Sequence, residues 1–297
     1  MRAIALKVDV DTLRGTREGV PRLAQLFAAL EIPATFLFSV GPDHTGRALR
    51  RVFRRGFLRK VRRTSVASHY GIPTLLYGTV LPGPDIGRLC RAEMLAVAER
   101  GFEVGVHSYD HVKWQDNVAS ASSVWTCEQM ECAVDAFERI FGFPPRIHGA
   151  AGWQLNEHVP TLEKGFGFEI ASDTRGFEPF LPFGGGVLQL PTTLPTLDEL
   201  VGVNGAQVGD AVRTLFELTR AVDGPRDHVF TLHAELEGGA YLSHFSGLLG
   251  AWRDAGFEFR TLGQAARAFD AQSIKTSRIE SGVIEGRSGT LALQARA

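Results

Sequence analysis

The chain has 297 residues, of which 44% are hydrophobic and 22% charged, with a formal net charge of −1. These values fit an ordinary globular protein and give no global reason to expect a nucleic-acid partner. No run of 18 or more apolar residues occurs, which argues against a spanning helix, and Cys90, Cys127 and Cys132 lack the C-x-x-C spacing of a zinc or redox motif.

Met1-Arg2-Ala3-Ile4 runs straight into the first predicted strand with no apolar signal region, so the expected location is cytoplasmic. Runs rich in Val, Ile and Phe then alternate with helical patterns, the signature of βα units around a parallel sheet. Strands are predicted over residues 3–10, 34–40, 102–107, 146–151, 168–172, 187–191, 229–233 and 257–260. The first helix has Pro21 near its start and an apolar stripe at Val20, Leu23, Ala24, Phe27 and Leu30, spaced to pack on a sheet. Further helices are expected over 91–100, 126–141, 209–222, 241–255 and 262–269. Length alone suggests about two domains, but a single α/β barrel over residues 1–270 fits better, with 41–87 as an insertion. Residues 271–297 are expected to form a polar, weakly packed tail or short late strands.

Chemistry concentrates where predicted strands end. Alternate side chains on a strand share a face, so in Lys7-Val8-Asp9-Val10-Asp11 both carboxylates point one way, opposite Leu6, Val8 and Val10. A His-x-x-x-His pair, His107 and His111, closes the third strand, and His233 closes the seventh. Asp11, His107 and His111 make a normal three-ligand set for one divalent ion, zinc or another transition metal such as cobalt or manganese. Asp9 is then free to take a proton from the attacking water, and His233 is placed to protonate a leaving amine. Each short motif has a high false-positive rate alone; three of them at the ends of separate strands would meet at one barrel mouth.

In this order, Asp9-Val-Asp11, His107-Ser-Tyr-Asp-His111, Ser172-Asp-Thr-Arg175 and Thr231-Leu-His233 resemble the motifs of the polysaccharide deacetylases (NodB homology, carbohydrate esterase family 4). The resemblance implies a distorted (β/α)7 barrel that removes acyl groups from amino sugars with one metal ion. It assigns Asp9 as base, Asp11, His107 and His111 as ligands, His233 as acid, and Asp173 as the carboxylate that orients His233. Where many members carry Arg-x-Pro-Tyr this chain has His148-Gly-Ala-Ala-Gly-Trp153, so the base lacks the usual arginine; Lys7 and Arg175 are the candidate substitutes. Longer stretches, among them Leu190-Pro-Thr-Thr-Leu-Pro-Thr-Leu-Asp-Glu and His233-Ala-Glu-Leu-Glu-Gly, resemble a branch that deformylates an undecaprenyl-phosphate-linked formamido-arabinose for lipid A modification. That narrower resemblance implies a lipid-linked phosphosugar substrate; the rival is a deacetylase of another amino sugar with the same site. Candidate substrate contacts are Arg14 for a phosphate, Trp153 for stacking on a sugar, Glu235 for a hydroxyl, and Arg175.

No acidic residue falls between Asp43 and Asp85, while nine basic residues lie between Arg47 and Arg63. Leu49, Val52, Phe53, Phe57 and Val61 recur among them at helical spacing, the pattern of a cationic helix lying on an anionic membrane surface. A peripheral position on the cytoplasmic face of the inner membrane is therefore expected. The sequence leaves the oligomeric state open.

Overall fold

A computed structural model describes residues 2–48, 72–221, 227–269, 271–287 and 289–296. The strands are β1 (Arg2–Val10), β2 (Thr35–Ser39), β3 (Glu103–Ser108), β4 (Ile147–His148), β5 (Ile170–Ala171), β6 (Phe180–Pro182), β7 (Leu188–Gln189), β8 (His228–His233), β9 (Phe257–Arg260), β10 (Lys275–Ser277), β11 (Ile279–Gly282) and β12 (Leu291–Gln294). Among the described residues, seven of these form one parallel array in the order β7-β5-β4-β3-β2-β1-β8. The array curls until its ends meet: Thr193 N, just past β7, donates to Val229 O of β8 at 3.1 Å, and Thr192 Oγ1 lies 2.7 Å from Thr231 Oγ1. This is the expected seven-stranded distorted barrel, and β9 adds a parallel pairing to the first half of β1.

Strand alternation decides what lies inside. On β1, Ile4, Leu6, Val8 and Val10 join the large outer core beneath the helices, together with Leu23, Ala24 and Phe27 of the helix Val20–Ala29. Ala5 faces inward with Leu37, Ile147, Ile170, Leu190 and Val229, and Leu262 and Ala265 of the helix Leu262–Ala268 close this apolar floor. Above the floor the same inward positions carry Lys7, then Asp9, with His233 opposite Asp9 on the neighbouring β8 and His107 two strands away on β3. The fold therefore seals one end with hydrocarbon and gathers its ionisable groups at the other, where parallel barrels place chemistry.

The tail takes the second of its two expected forms, short late strands. β10 pairs with β6, and β11 and β12 form an antiparallel hairpin. Arg175 N donates to Ala292 O at 2.9 Å and Gln294 N to Arg175 O at 2.7 Å, while Leu291 and Ala292 are buried. Its polar composition misleads because the tail is tied down through backbone hydrogen bonds and ion pairs, which hydropathy does not register.

Residues 49–71 fall outside the described part, so most of the expected cationic helix lies there. The roots of this insertion are well defined: Ile86 N donates to Gly41 O and Asp43 N to Pro84 O, both at 2.8 Å. No helix among the described residues is long and apolar enough to cross a membrane.

Candidate metal and acid-base centre

Asp11 sits just past β1, His107 within β3, and His111 at the first position of the helix His111–Asn117, whose start is fixed by Asp110 accepting from Lys113 N. The three converge. Asp11 Oδ1 lies 3.2 Å from His107 Nε2 and 3.5 Å from His111 Nε2. It is buried and makes no hydrogen bond. Tetrahedral coordination with bonds of about 2.0–2.1 Å puts ligand atoms roughly 3.3–3.4 Å apart, so the spacing suits a single divalent cation. His107 Nδ1 lies 2.6 Å from Gly149 O and donates to it, which leaves the Nε2 lone pair for the ion. Burial alone would raise the Asp11 carboxyl, but the His111 and His107 imidazoles more than reverse this and hold it well below the ordinary carboxylate range.

Asp9 lies beside this cluster. Its Oδ2 is 3.4 Å from Lys7 Nζ; its Oδ1 is buried, makes no hydrogen bond and is 3.9 Å from His107 Nδ1. Across the mouth, His233 is buried and its Nδ1 has no hydrogen-bond partner. Burial opposes a charged imidazole there, yet the surrounding carboxylates of Asp198, Asp11, Glu237 and Asp9 outweigh it and raise the His233 pKa. Glu237 Oε2 accepts from His233 N at 2.8 Å, and burial pushes that glutamate up to about 7 against the pull of His233.

Several expected roles need correcting. Asp173 does not reach His233. It is 3.2 Å from His148 Nδ1, accepts from Ala150 N at 2.6 Å and from Gln189 Nε2 at 2.9 Å, and so belongs to a buried triad with His148 and Glu163. The carboxylate beside His233 Nδ1 is Asp198, at 3.8 Å. Arg175 is buried against Glu199, at 2.6 Å, and Leu194 O, at 2.9 Å, so it faces neither Asp9 nor a substrate. Trp153 is only 1% exposed and cannot stack on a sugar. Its ring lies under Arg287, Arg175 and Lys7, at 4.4, 5.2 and 5.3 Å from its centroid, and its Nε1 donates to Thr192 Oγ1. Gly152 and Trp153 are successive left-handed residues, φ 63° and 53°; the strain of the second turns the indole inward.

Glu235 is a scaffold for the ligand loop rather than a sugar contact. Its Oε1 accepts from Asp11 N at 3.1 Å and from Thr12 N and Thr12 Oγ1, both at 2.8 Å. Burial, with Asp11 adding, pushes it up to about 8. A Cβ at Gly15 would come within 1.9 Å of this Oε1, so the close approach requires glycine. The loop continues as a π-helical turn, Gly15–Gly19, packed on a second one, Leu236–Ala240; such turns are frequent at functional sites. Arg14 remains at the mouth, partly exposed, 3.2 Å from Glu18. Glu237, which follows His233 and by sequence is open as a sugar contact or an orienting carboxylate, is the one that holds the His233 backbone, whereas Asp198 carries no sequence signal of its own and lies inside the Thr196-Leu-Asp-Glu199 capping box.

A curled sheet of seven parallel strands with an aspartate-histidine-histidine cluster at its mouth defines a barrel of the polysaccharide deacetylase class. A solved Mycobacterium smegmatis protein described as a "putative polysaccharide deacetylase" superimposes with a TM-score of 0.66 over 95% of this chain and 94% of its own, at 17% identity. An allantoinase gives 0.60 over 91% of each chain, also at 17% identity. No family model matches the chain. Over 294 residues it is 34% identical to the Shewanella sediminis protein named "probable 4-deoxy-4-formamido-L-arabinose-phosphoundecaprenol deformylase ArnD", covering 98% of this chain and 94% of that one. It is 31% identical to the Wigglesworthia glossinidia brevipalpis protein of the same name, covering 94% and 98%. The chain belongs to the ArnD deformylase family and is an amide-hydrolysing enzyme.

Proposed function

We propose that this enzyme removes the N-formyl group from 4-deoxy-4-formamido-L-arabinose carried on undecaprenyl phosphate, releasing formate and the free amine, with one divalent metal ion held by Asp11, His107 and His111. The sugar and its lipid carrier come from the names of the relatives. The observation that carries the metal is the convergence of His107 Nε2 and His111 Nε2 on the unpartnered Asp11 Oδ1. A divalent cation held there, zinc, cobalt or manganese, would supply Lewis acidity, polarising the formyl carbonyl and easing deprotonation of water.

The protein groups move the protons. Asp9, through its unpartnered Oδ1, takes a proton from the water that attacks the formyl carbon. His233, whose pKa the carboxylates around it raise against the effect of burial, delivers a proton to the amide nitrogen as the C–N bond breaks. Formate and the amine leave. Asp198, 3.8 Å from His233 Nδ1, replaces Asp173 as the carboxylate that orients this acid. Arg14 is the candidate contact for the phosphate.

In this reading the enzyme works on the cytoplasmic face of the inner membrane, with the basic segment 47–63 against anionic lipid, and its product feeds aminoarabinose modification of lipid A and the polymyxin resistance that follows. The test is formate release from the lipid-linked formamido sugar by protein stripped with chelator and reloaded with zinc, cobalt or manganese. Activity should return with metal. Acetate release from N-acetylated sugars without formate release would assign the site to the rival deacetylase.

A further inference from the structure

Lys7 is completely buried on the inner face of β1, an environment in which an ammonium group persists only if its donors are satisfied and its charge is met. Three partners surround its Nζ. It donates to Ser172 O at 2.8 Å, lies 3.4 Å from Asp9 Oδ2, and stands 5.3 Å from the centre of the Trp153 ring. The first is a hydrogen bond, and the carboxylate and the ring face meet the charge. The backbone is shaped around it as well: a Cβ at Gly149 would lie 3.2 Å from Lys7 Cε and 2.4 Å from Leu37 Cδ1, so the strand continuing from β4 leaves room for the lysine stem by having no side chain there.

The consequence falls on Asp9. One carboxylate oxygen is held by Lys7; the other is buried, makes no hydrogen bond and faces His107. Arg175, the other cation in reach by sequence, is committed to Glu199. We infer that Lys7 is the positioning residue for the general base, anchoring Asp9 Oδ2 so that Oδ1 is presented to the attacking water. This inference rests on the proposed role of Asp9 as base. Trp153 acts through the same contact, as the apolar lid that excludes water from the Lys7 ammonium. A misplacement of about 1 Å at a reacting group can lower a rate by about 10²-fold, and that is the scale expected on releasing one oxygen of the base.

The experiment compares Lys7→Met, Lys7→Arg, Asp9→Asn and the double variant Lys7→Met/Asp9→Asn in the zinc-loaded enzyme, reading kcat and KM for formate release together with zinc content. Lys7→Met should lower kcat by about 10²-fold, with KM within about twofold and full zinc content, because neither the three ligands nor Arg14 is touched. Lys7→Arg, which keeps the charge, should recover at least about tenfold of that loss. In the double variant, Lys7→Met should cost less than about threefold beyond Asp9→Asn, since a positioning residue has nothing left to position. If Lys7→Met does not fold, Lys7→Gln, which keeps a donor for Ser172 O without the charge, is read by the same criteria against Lys7→Arg. A Lys7→Met or Lys7→Gln enzyme with near-parental kcat beside an inactive Asp9→Asn would overturn the inference and leave Asp9 as base, as would full additivity in the double variant. An active Asp9→Asn would instead overturn the proposed function.

Discussion

Replacing Glu199 by Ala should destabilise the protein by about 4–6 kcal/mol, and the parts of that figure can be read from the contacts. Glu199 Oε1 lies 2.6 Å from Arg175 Nη1 and 3.1 Å from Arg287 Nη1, and Oε2 caps its own helix by accepting from Thr196 N at 3.0 Å. The carboxylate is buried, and both guanidinium groups are nearly so. Removing one partner of a buried pair leaves an uncompensated charge and costs about 3–5 kcal/mol. Losing the cap interaction adds about 1 kcal/mol. For a domain of this size each 1 kcal/mol lowers Tm by roughly 2–4 °C, so thermal unfolding followed by circular dichroism should show a drop on the order of 10–20 °C. Glu199→Gln, which preserves the cap, should lose less. The same variants should expose Arg287 to trypsin, since Glu199 ties the tail to the barrel. A fall in Tm below about 3 °C, with unchanged trypsin sensitivity, would refute the view that this carboxylate holds two buried cations.

Alanine at Asp11, His107 or His111 should abolish stoichiometric zinc binding, measured by metal analysis after gel filtration, because two remaining ligands do not hold the ion; full occupancy in all three variants would remove the triad as the metal site. His233→Ala should lower kcat by about 10²- to 10⁴-fold with zinc retained, and Asp198→Asn by a smaller factor of about 10-fold or more; loss of zinc in His233→Ala would make that histidine a ligand instead. The His148 imidazolium is raised to about 10 because Asp173 and Glu163 outweigh the opposing effect of burial. A raised pKa contributes stability that is complete below the unfolded value near 6.5 and is lost as pH climbs toward 10, by up to about 1.4 kcal/mol per unit. Tm should therefore fall between pH 7 and 10, and a flat profile there would mean that His148 is neutral.

What the sequence discloses and what it hides divide along physical lines. The period-two alternation of β1 separates Leu6, Val8 and Val10 from Lys7 and Asp9 without any knowledge of the rest of the molecule, because face selection is local. Asp11, His107 and His111 are legible for the same reason: each lies at or just past the end of a strand, and parallel strands bring such positions together. Partnerships between side chains are not local. Asp173 turns to His148 and Glu163 rather than to His233 because Gln189 and the Ala150 amide hold it there. Trp153 follows a glycine, as an exposed stacking residue would, but cations from three distant segments cover it. Nothing in the spacing of Arg287 announces that a polar tail would supply one of them.

The paired roots of the insertion carry a practical consequence. Gly41, Asp43, Pro84 and Ile86 are already joined across the neck by two backbone hydrogen bonds, and just inside it His44 Nδ1 lies 2.6 Å from Asp110 Oδ2, the carboxylate that caps the helix carrying His111. Excising residues beyond His44 up to Gly83, which keeps His44 on Asp110, and joining the two sides with a short glycine-serine turn should therefore yield a minimal catalyst. Such a core would let bond cleavage be studied on a small water-soluble formamide, apart from delivery of a long-chain substrate.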